Sequence, residues 1–200
     1  MELLKIYPEN PNDKYISMAA KAIKNGKIVI IPTDSVYAFA CDALNNSAIE
    51  HICKVKGIKS EKNNLSIICN EIGQAAEYAR IDNDTYKIMK RNLPGAFTFI
   101  LPALSKLPKA FKGRKTVGIR IPDNNIALAL VRLLGNPIMT SSVPLQDEDT
   151  STEPELMAKA YPGVEIILDS GRGNTIPSTV IDCTEDNIEI IREGTATLAL

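Results

Sequence analysis

The chain has 200 residues, 44% of them apolar and 24% charged, with a net charge of −1. That balance fits a globular chain able to bury a substantial core, and it excludes both a disordered chain and a broadly basic, non-specific nucleic-acid binder. No apolar run reaches the roughly eighteen residues of a membrane span, and the N-terminus lacks a signal peptide's apolar centre and cleavage site, so a cytoplasmic protein with no membrane partner is expected.

Hydrophobic periodicity predicts a first helix over 11–25, with Ile16, Ala19, Ala20 and Ile23 on one face and Gly26 as its stop. "KIVII" then reads as a buried strand ending at Pro32, and "SVYAFAC" as a second. Helical patterns recur over 47–55, 72–79, 83–93 and 125–134, the last stopped by Gly135. Strand candidates are "LSIIC", "FTFILP", "TVGIRIP", "PIMTS", "EIILD", "STVID" and "IEIIRE". Several strands follow one another without a crossover helix, which points to a mixed α/β (α+β) sheet rather than a strict parallel repeat. One domain over 1–200 is the economical reading. "QDEDTSTEP" reads as the longest polar loop. Residues 105–120 carry six basic residues and no acid, while residues 145–155 carry five acids and no base. Such a basic stretch is a solvated loop or a contact for an anionic ligand or RNA.

The familiar catalytic motifs are missing. There is no GxxxxGK[ST] loop, GxSxG elbow or HExxH, and "GRGN" is a turn rather than GxGxxG. Cys41, Cys53, Cys69 and Cys183 form no CxxC pair and read as reduced core thiols. The single histidine, His51, supports neither a multi-histidine metal site nor a confident triad, so no metal site is expected. What remains is a pattern of hydroxyls and cations at strand ends: Thr33 and Ser35, Thr98, Thr116 with Arg120, Thr140 to Ser142, Ser178 with Thr179, and Arg192. Open sheets bind ligands at such ends, although each residue alone is equally at home in a turn.

"PTDSVYAFACDA" resembles the "PTDTVYGLGCDA" signature of the YrdC/YciO family, the threonylcarbamoyl-AMP synthases. The resemblance continues in order through "KVKGIK", "LPGAFTFIL", "VGIRIP", "PIMTSS", "PSTVID" and "IIREG", and the wording is nearest the YciO-like branch. It implies an open, twisted sheet with packed helices and a concave basic surface. It also implies joining L-threonine, bicarbonate and ATP into threonylcarbamoyl-AMP and pyrophosphate, with Mg2+ accompanying ATP. Transferase partners would pass the threonylcarbamoyl group to adenosine 37 of tRNA, and binding of tRNA or double-stranded RNA belongs to the same expectation.

Position by position, the resemblance places Lys56, Lys59, Thr116, Ser142 and Arg192 on the ATP side and Thr33, Ser35, Arg120, Thr140 and Ser178 on the threonine side. Lys56 and Arg120 are its expected catalytic cations. Four departures stand out. Ile58 replaces the arginine of the Lys-x-Arg motif, "SVP" (Ser142, Val143, Pro144) replaces "SAN", Ala38 replaces a glycine, and Ile68 replaces a histidine in "NNLSII". The sequence stops soon after Gly194, so a further C-terminal domain is not expected. Two alternatives stay open: a nucleotide- or RNA-binding module without efficient synthesis, and a carbamoyl-transfer relative with another acceptor.

Overall fold

Apolar alternation becomes one continuous sheet. The computed structural model describes residues 1–59, 65–112, 115–145, 147–185 and 187–200. Its strands are β1 (Glu2–Lys5), β2 (Val29–Ile31), β3 (Ala38–Asp42), β4 (Ser66–Ile68), β5 (Phe97–Pro102), β6 (Thr116–Arg120), β7 (Ile138–Ser142), β8 (Ile166–Asp169), β9 (Thr179–Asp182) and β10 (Glu189–Arg192). Among the described residues they lie in the order β1-β8-β2-β3-β7-β4-β6-β5-β9-β10. Pairs β1·β8, β8·β2, β4·β6 and β5·β9 are parallel and the others antiparallel, so the sheet is mixed, as expected.

The helices are α1 (Asp13–Lys24), α2 (Asn46–Val55), α3 (Ile72–Ala75), α4 (Asn83–Asn92), α5 (Lys109–Lys112), α6 (Asn125–Leu134), α7 (Glu148–Thr152) and α8 (Pro154–Ala160). Helix α1 starts where Asn12 Oδ1 accepts from the Lys14 and Tyr15 amides at 3.0 and 3.4 Å, satisfying donors that would otherwise be orphaned. Helix α6 starts on Asn124 in the same way and stops at Gly135, whose φ of 77° favours a residue without Cβ.

Period-two alternation decides where the functional surface lies. One face of the sheet carries Phe39, Ile67, Phe99, Ile119 and Met139 and is packed by Ile49 and Ile52 of α2, Met89 of α4, Phe111 of α5 and Met157 of α8. The opposite face is only partly covered. Val29, Ile31, Ala40, Ile68 and Ile138 meet the apolar stripes of α1 and α6, both amphipathic as their 3.6-residue spacing requires. Ser66, Gly118, Arg120, Thr140 and Ser142 stand further along that same face of their strands. There they line a cleft.

The structure moves several expected boundaries. β3 begins at Ala38 rather than Ser35, because the Ser35 amide donates to Thr33 Oγ1 and the chain turns there. Helix α3 ends at Ala75, short of Ala79, which instead bridges to Ala103. The acidic segment read as a loop contains α7 and the start of α8. Asp147 caps α7 by accepting from the Thr150 amide, and Pro154 opens α8 at the first helical position. The basic segment holds α5 and β6, with Gly113 and Arg114 outside the described residues, as are Asn63 and Asn64 of "NNLSII" and Gln146 of the acidic loop. Strand β1 was not foreseen: "ELLK" is too short to alternate convincingly and is fixed by pairing with β8. All four cysteines are free and buried, as read from the sequence. Among the described residues, no helix is long and apolar enough to cross a membrane.

Candidate functional site

The cleft has a volume of about 600 Å³ and a flat floor. Thr140, Ser66, Gly118 and Ile100 stand opposite one another on four successive strands, β7, β4, β6 and β5. A Cβ on Gly118 would come within 2.9 Å of Ser66 Cβ and 3.0 Å of Thr98 Cγ2. Glycine therefore leaves a backbone floor that a ligand can approach closely. Polar groups rim that floor: Lys56, Ser141 and Ser142 on one side, Arg120 and Thr140 within, Thr98, Ser178 and Arg192 on the other. Ile58, Leu65, Val180 and Ile191 supply the apolar part of the lining.

Lys56 caps the C-terminus of α2 and turns its ammonium across to β7. Nζ donates to Ser141 Oγ at 2.6 Å and to the Ser142 carbonyl at 2.7 Å, both neutral acceptors. Burial lowers its pKa from the ordinary 10.5, with Cys53 acting in the opposite direction. A lysine satisfied by neutral groups keeps its charge for an anion.

Arg120 is paired differently. Its Nη2 donates to Asp34 Oδ1 at 2.9 Å and to Ser35 Oγ at 3.1 Å, with side-chain exposures of 5% for Arg120 and 9% for Asp34. Asp34 Oδ2 in turn accepts from the Asp123 amide at 2.8 Å. The turn is internally braced, since Thr33 Oγ1 donates to the Val36 carbonyl at 2.8 Å and accepts from the Ser35 amide. Burial pulls the Arg120 pKa down, Asp34 raises it, and Arg192 lowers it; a guanidinium stays protonated throughout. Two buried polar atoms, Arg120 Nε and Thr140 Oγ1, have no hydrogen-bond partner among the described residues. Such atoms are costly unless something completes them, and both belong to residues lining the cleft.

On the far side Arg192 donates through Nε and Nη2 to the Ser178 carbonyl at 3.1 and 2.8 Å, and Ser178 Oγ lies 2.8 Å from Thr98 Oγ1. Burial lowers the Arg192 pKa as well. The cleft is thus lined by three cations, Lys56, Arg120 and Arg192, together with hydroxyls.

A family profile named Sua5/YciO/YrdC, described as "Telomere recombination", matches residues 21–194. The chain belongs to the Sua5/YciO/YrdC family. Threonylcarbamoyl-AMP synthase of Bacillus subtilis strain 168 is 36% identical over 190 residues, covering 92% of this chain and 54% of that protein. The crystal structure of Escherichia coli YciO superposes with a TM-score of 0.91 at 33% identity, covering 98% of each chain. Pyrococcus abyssi Sua5 complexed with L-threonine gives a TM-score of 0.88 at 31% identity, over 97% of this chain and 58% of that one.

Of the residues assigned by resemblance to this family, Lys56, Arg120, Thr140, Ser142, Ser178 and Arg192 line one cleft. Thr33 and Ser35 are not among the residues lining it; they reach it through Arg120 and line a smaller cavity of about 80 Å³ behind the turn. Thr116, at the start of β6, and exposed Lys59, just beyond α2, are also not among the lining residues. Ser141 beneath Lys56 and Thr98 beside Ser178 were among the strand-end hydroxyls but carried no assigned role, while Ser66 on the floor and Asp34 behind Arg120 were not among the candidates. Alternation along β4 could have revealed Ser66, the lone hydroxyl in "LSIIC". Ile58 lines the cleft, and Ile68 is fully buried under α1 and α6. Exposed His51 lies on α2. Among the described residues no cluster of three or more metal-ligating side chains occurs.

Proposed function

We propose that this chain is a threonylcarbamoyl-AMP synthase-type nucleotidyltransferase. The observation that carries the reading is that Arg120 Nε and Thr140 Oγ1 have no partner among the described residues, in a cleft whose other cations are Lys56 and Arg192. The Arg120 and Thr140 donors suit a carboxylate, and the remaining cations suit phosphates. The named relatives, a threonylcarbamoyl-AMP synthase and a Sua5 complexed with L-threonine, support the same substrates.

In this reading the amine of L-threonine and bicarbonate give a carbamate with loss of water. A carbamate oxygen then attacks the α-phosphorus of ATP, and the bond from that phosphorus to the bridging oxygen breaks as pyrophosphate leaves. Arg120 and Thr140 hold the amino acid's carboxylate, with Ser178 beside it. Lys56, anchored on Ser141 and Ser142, steadies negative charge on the phosphoryl oxygens, and Arg192 flanks the nucleotide. Mg2+ travels with ATP, and the product passes to a transferase that modifies tRNA.

The test is pyrophosphate release by the purified chain with ATP, threonine and bicarbonate, each omitted in turn. Release requiring all three supports the reading, while turnover indifferent to threonine and bicarbonate overturns it. Ile58 and Pro144 favour a second reading, a nucleotide- or RNA-binding relative without efficient synthesis. Salt-dependent tRNA binding with no adenylate product would support it.

A further inference from the structure

Arg120 does not offer a full positive charge to its ligand. It is buried against Asp34; its other hydrogen-bond partner, Ser35, and the Asp123 amide on the second Asp34 oxygen are uncharged, and Arg192 acts on it through charge without a hydrogen bond. The charges of this pair offset each other where the ligand is received, while Lys56 reaches β7 from the end of α2 and Arg192 lies on the exposed strand β10. An ion pair beyond the reach of water keeps its electrostatic influence on whatever binds next to it.

We propose that Asp34 is a specificity-determining residue: by cancelling the charge of Arg120 it selects a zwitterionic amino acid over the corresponding simple carboxylate. The inference rests on the reading of this corner as the amino-acid pocket. A carboxylate at Arg120 Nε gains directional hydrogen bonds but is repelled by Asp34 from a few ångströms further back. In an amino acid the neighbouring ammonium is attracted by the same Asp34 carboxylate, and the two effects largely offset. A ligand with a carboxylate and no amine bears the repulsion alone. Asp34 therefore does more than brace the turn. A merely structural carboxylate would help both ligands equally, whereas a charge-setting one must discriminate between them.

The experiment compares L-threonine with (R)-3-hydroxybutanoate, the same skeleton without its amine, as calorimetric ligands of the full chain at low ionic strength. Wild type is expected to bind threonine at least about tenfold more tightly, since only the zwitterion escapes the repulsion. Asp34→Asn is expected to shift the affinity ratio by about tenfold or more toward hydroxybutanoate, whatever it does to both affinities together. Ser35→Ala, which removes a neutral acceptor from the same Nη2, is expected to weaken both and leave the ratio within about twofold. Asp34→Glu keeps the charge and should keep the preference, which serves if Asp34→Asn fails to fold. An unchanged ratio in Asp34→Asn, an equal shift in Ser35→Ala, loss of the preference in Asp34→Glu, or a wild type that prefers hydroxybutanoate would each overturn the proposal. A wild type that binds neither compound overturns the pocket reading itself and the inference with it.

Discussion

Arg120 and Asp34 meet at 2.9 Å in the interior, one from the end of β6 and the other from the turn before β3. Residues 86 apart in sequence are thereby tied together, and the turn and the cleft wall become one unit. Neither partner tolerates loss of the other, because a charge left alone in a dry site keeps its desolvation penalty. Asp34→Ala is expected to destabilise the fold by about 3–5 kcal/mol, whereas Asp34→Leu with Arg120→Leu should recover most of that loss. Denaturant unfolding of the two variants measures the difference.

Lys56 is expected to act chiefly on turnover. Lys56→Ala removes one fixed donor aimed at developing phosphoryl charge, and a fall in kcat of roughly 10²–10³ is expected with little change in the KM for threonine. Steady-state kinetics with each substrate varied tests that split.

The pH dependence of Lys56 follows from its surroundings. Burial disfavours the charged form, so its folded pKa lies below the ordinary 10.5. The unfolded chain binds more protons in the window between the two values, and stability therefore rises with pH there. Phosphate binding has the opposite sign, since it needs the charged form. Nucleotide affinity should fall with rising pH before an exposed lysine would titrate, and Lys56→Arg should move the fall to higher pH. Calorimetric titrations across the alkaline range provide the check.

Gly118→Ala should jam the floor. The new methyl would lie 2.9 Å from Ser66 Cβ, and forced overpacking of this kind costs about 1–3 kcal/mol. Pairing it with Ser66→Gly removes the nearest obstacle and should restore part of the stability. Thermal melts of the single and double variants would reveal this coupling.

Ile58→Arg returns a cation to the cleft lining beside Lys56. Binding of ATP is expected to tighten about tenfold and to become more salt-dependent, as one added charge-assisted contact would give. Calorimetry at two ionic strengths decides it.

Much of this molecule was legible in advance, and unevenly. The 125–134 helix was read to the residue, because Asn124 and Gly135 mark its ends chemically. "FTFILP" likewise coincides with β5, bounded by Gly95 before and Pro102 within. By contrast, "ELLK" has no local signature, and α7 hides in a polar run because its stabilisation is capping rather than an apolar face. In the site, strand-end hydroxyls could be listed from sequence but not sorted. Thr33 and Ser35 carry the same chemistry as Thr140, yet their turn spends it on Val36 and Arg120, while Thr140 Oγ1 has no partner among the described residues. Asp34 was invisible as a functional group for a related reason: a carboxylate in "TDS" reads as a turn residue until the fold brings Arg120 to it.

The central claim is that one cleft joins bicarbonate carbon to threonine and then to AMP. Its most direct measurement is the fate of labelled bicarbonate incubated with the chain, L-threonine, ATP and Mg2+, with products separated under conditions that preserve a labile adenylate. The account requires label in a compound that also contains threonine and AMP, formed together with pyrophosphate and lost in Arg120→Ala. Pyrophosphate released while all label remains in bicarbonate would contradict it.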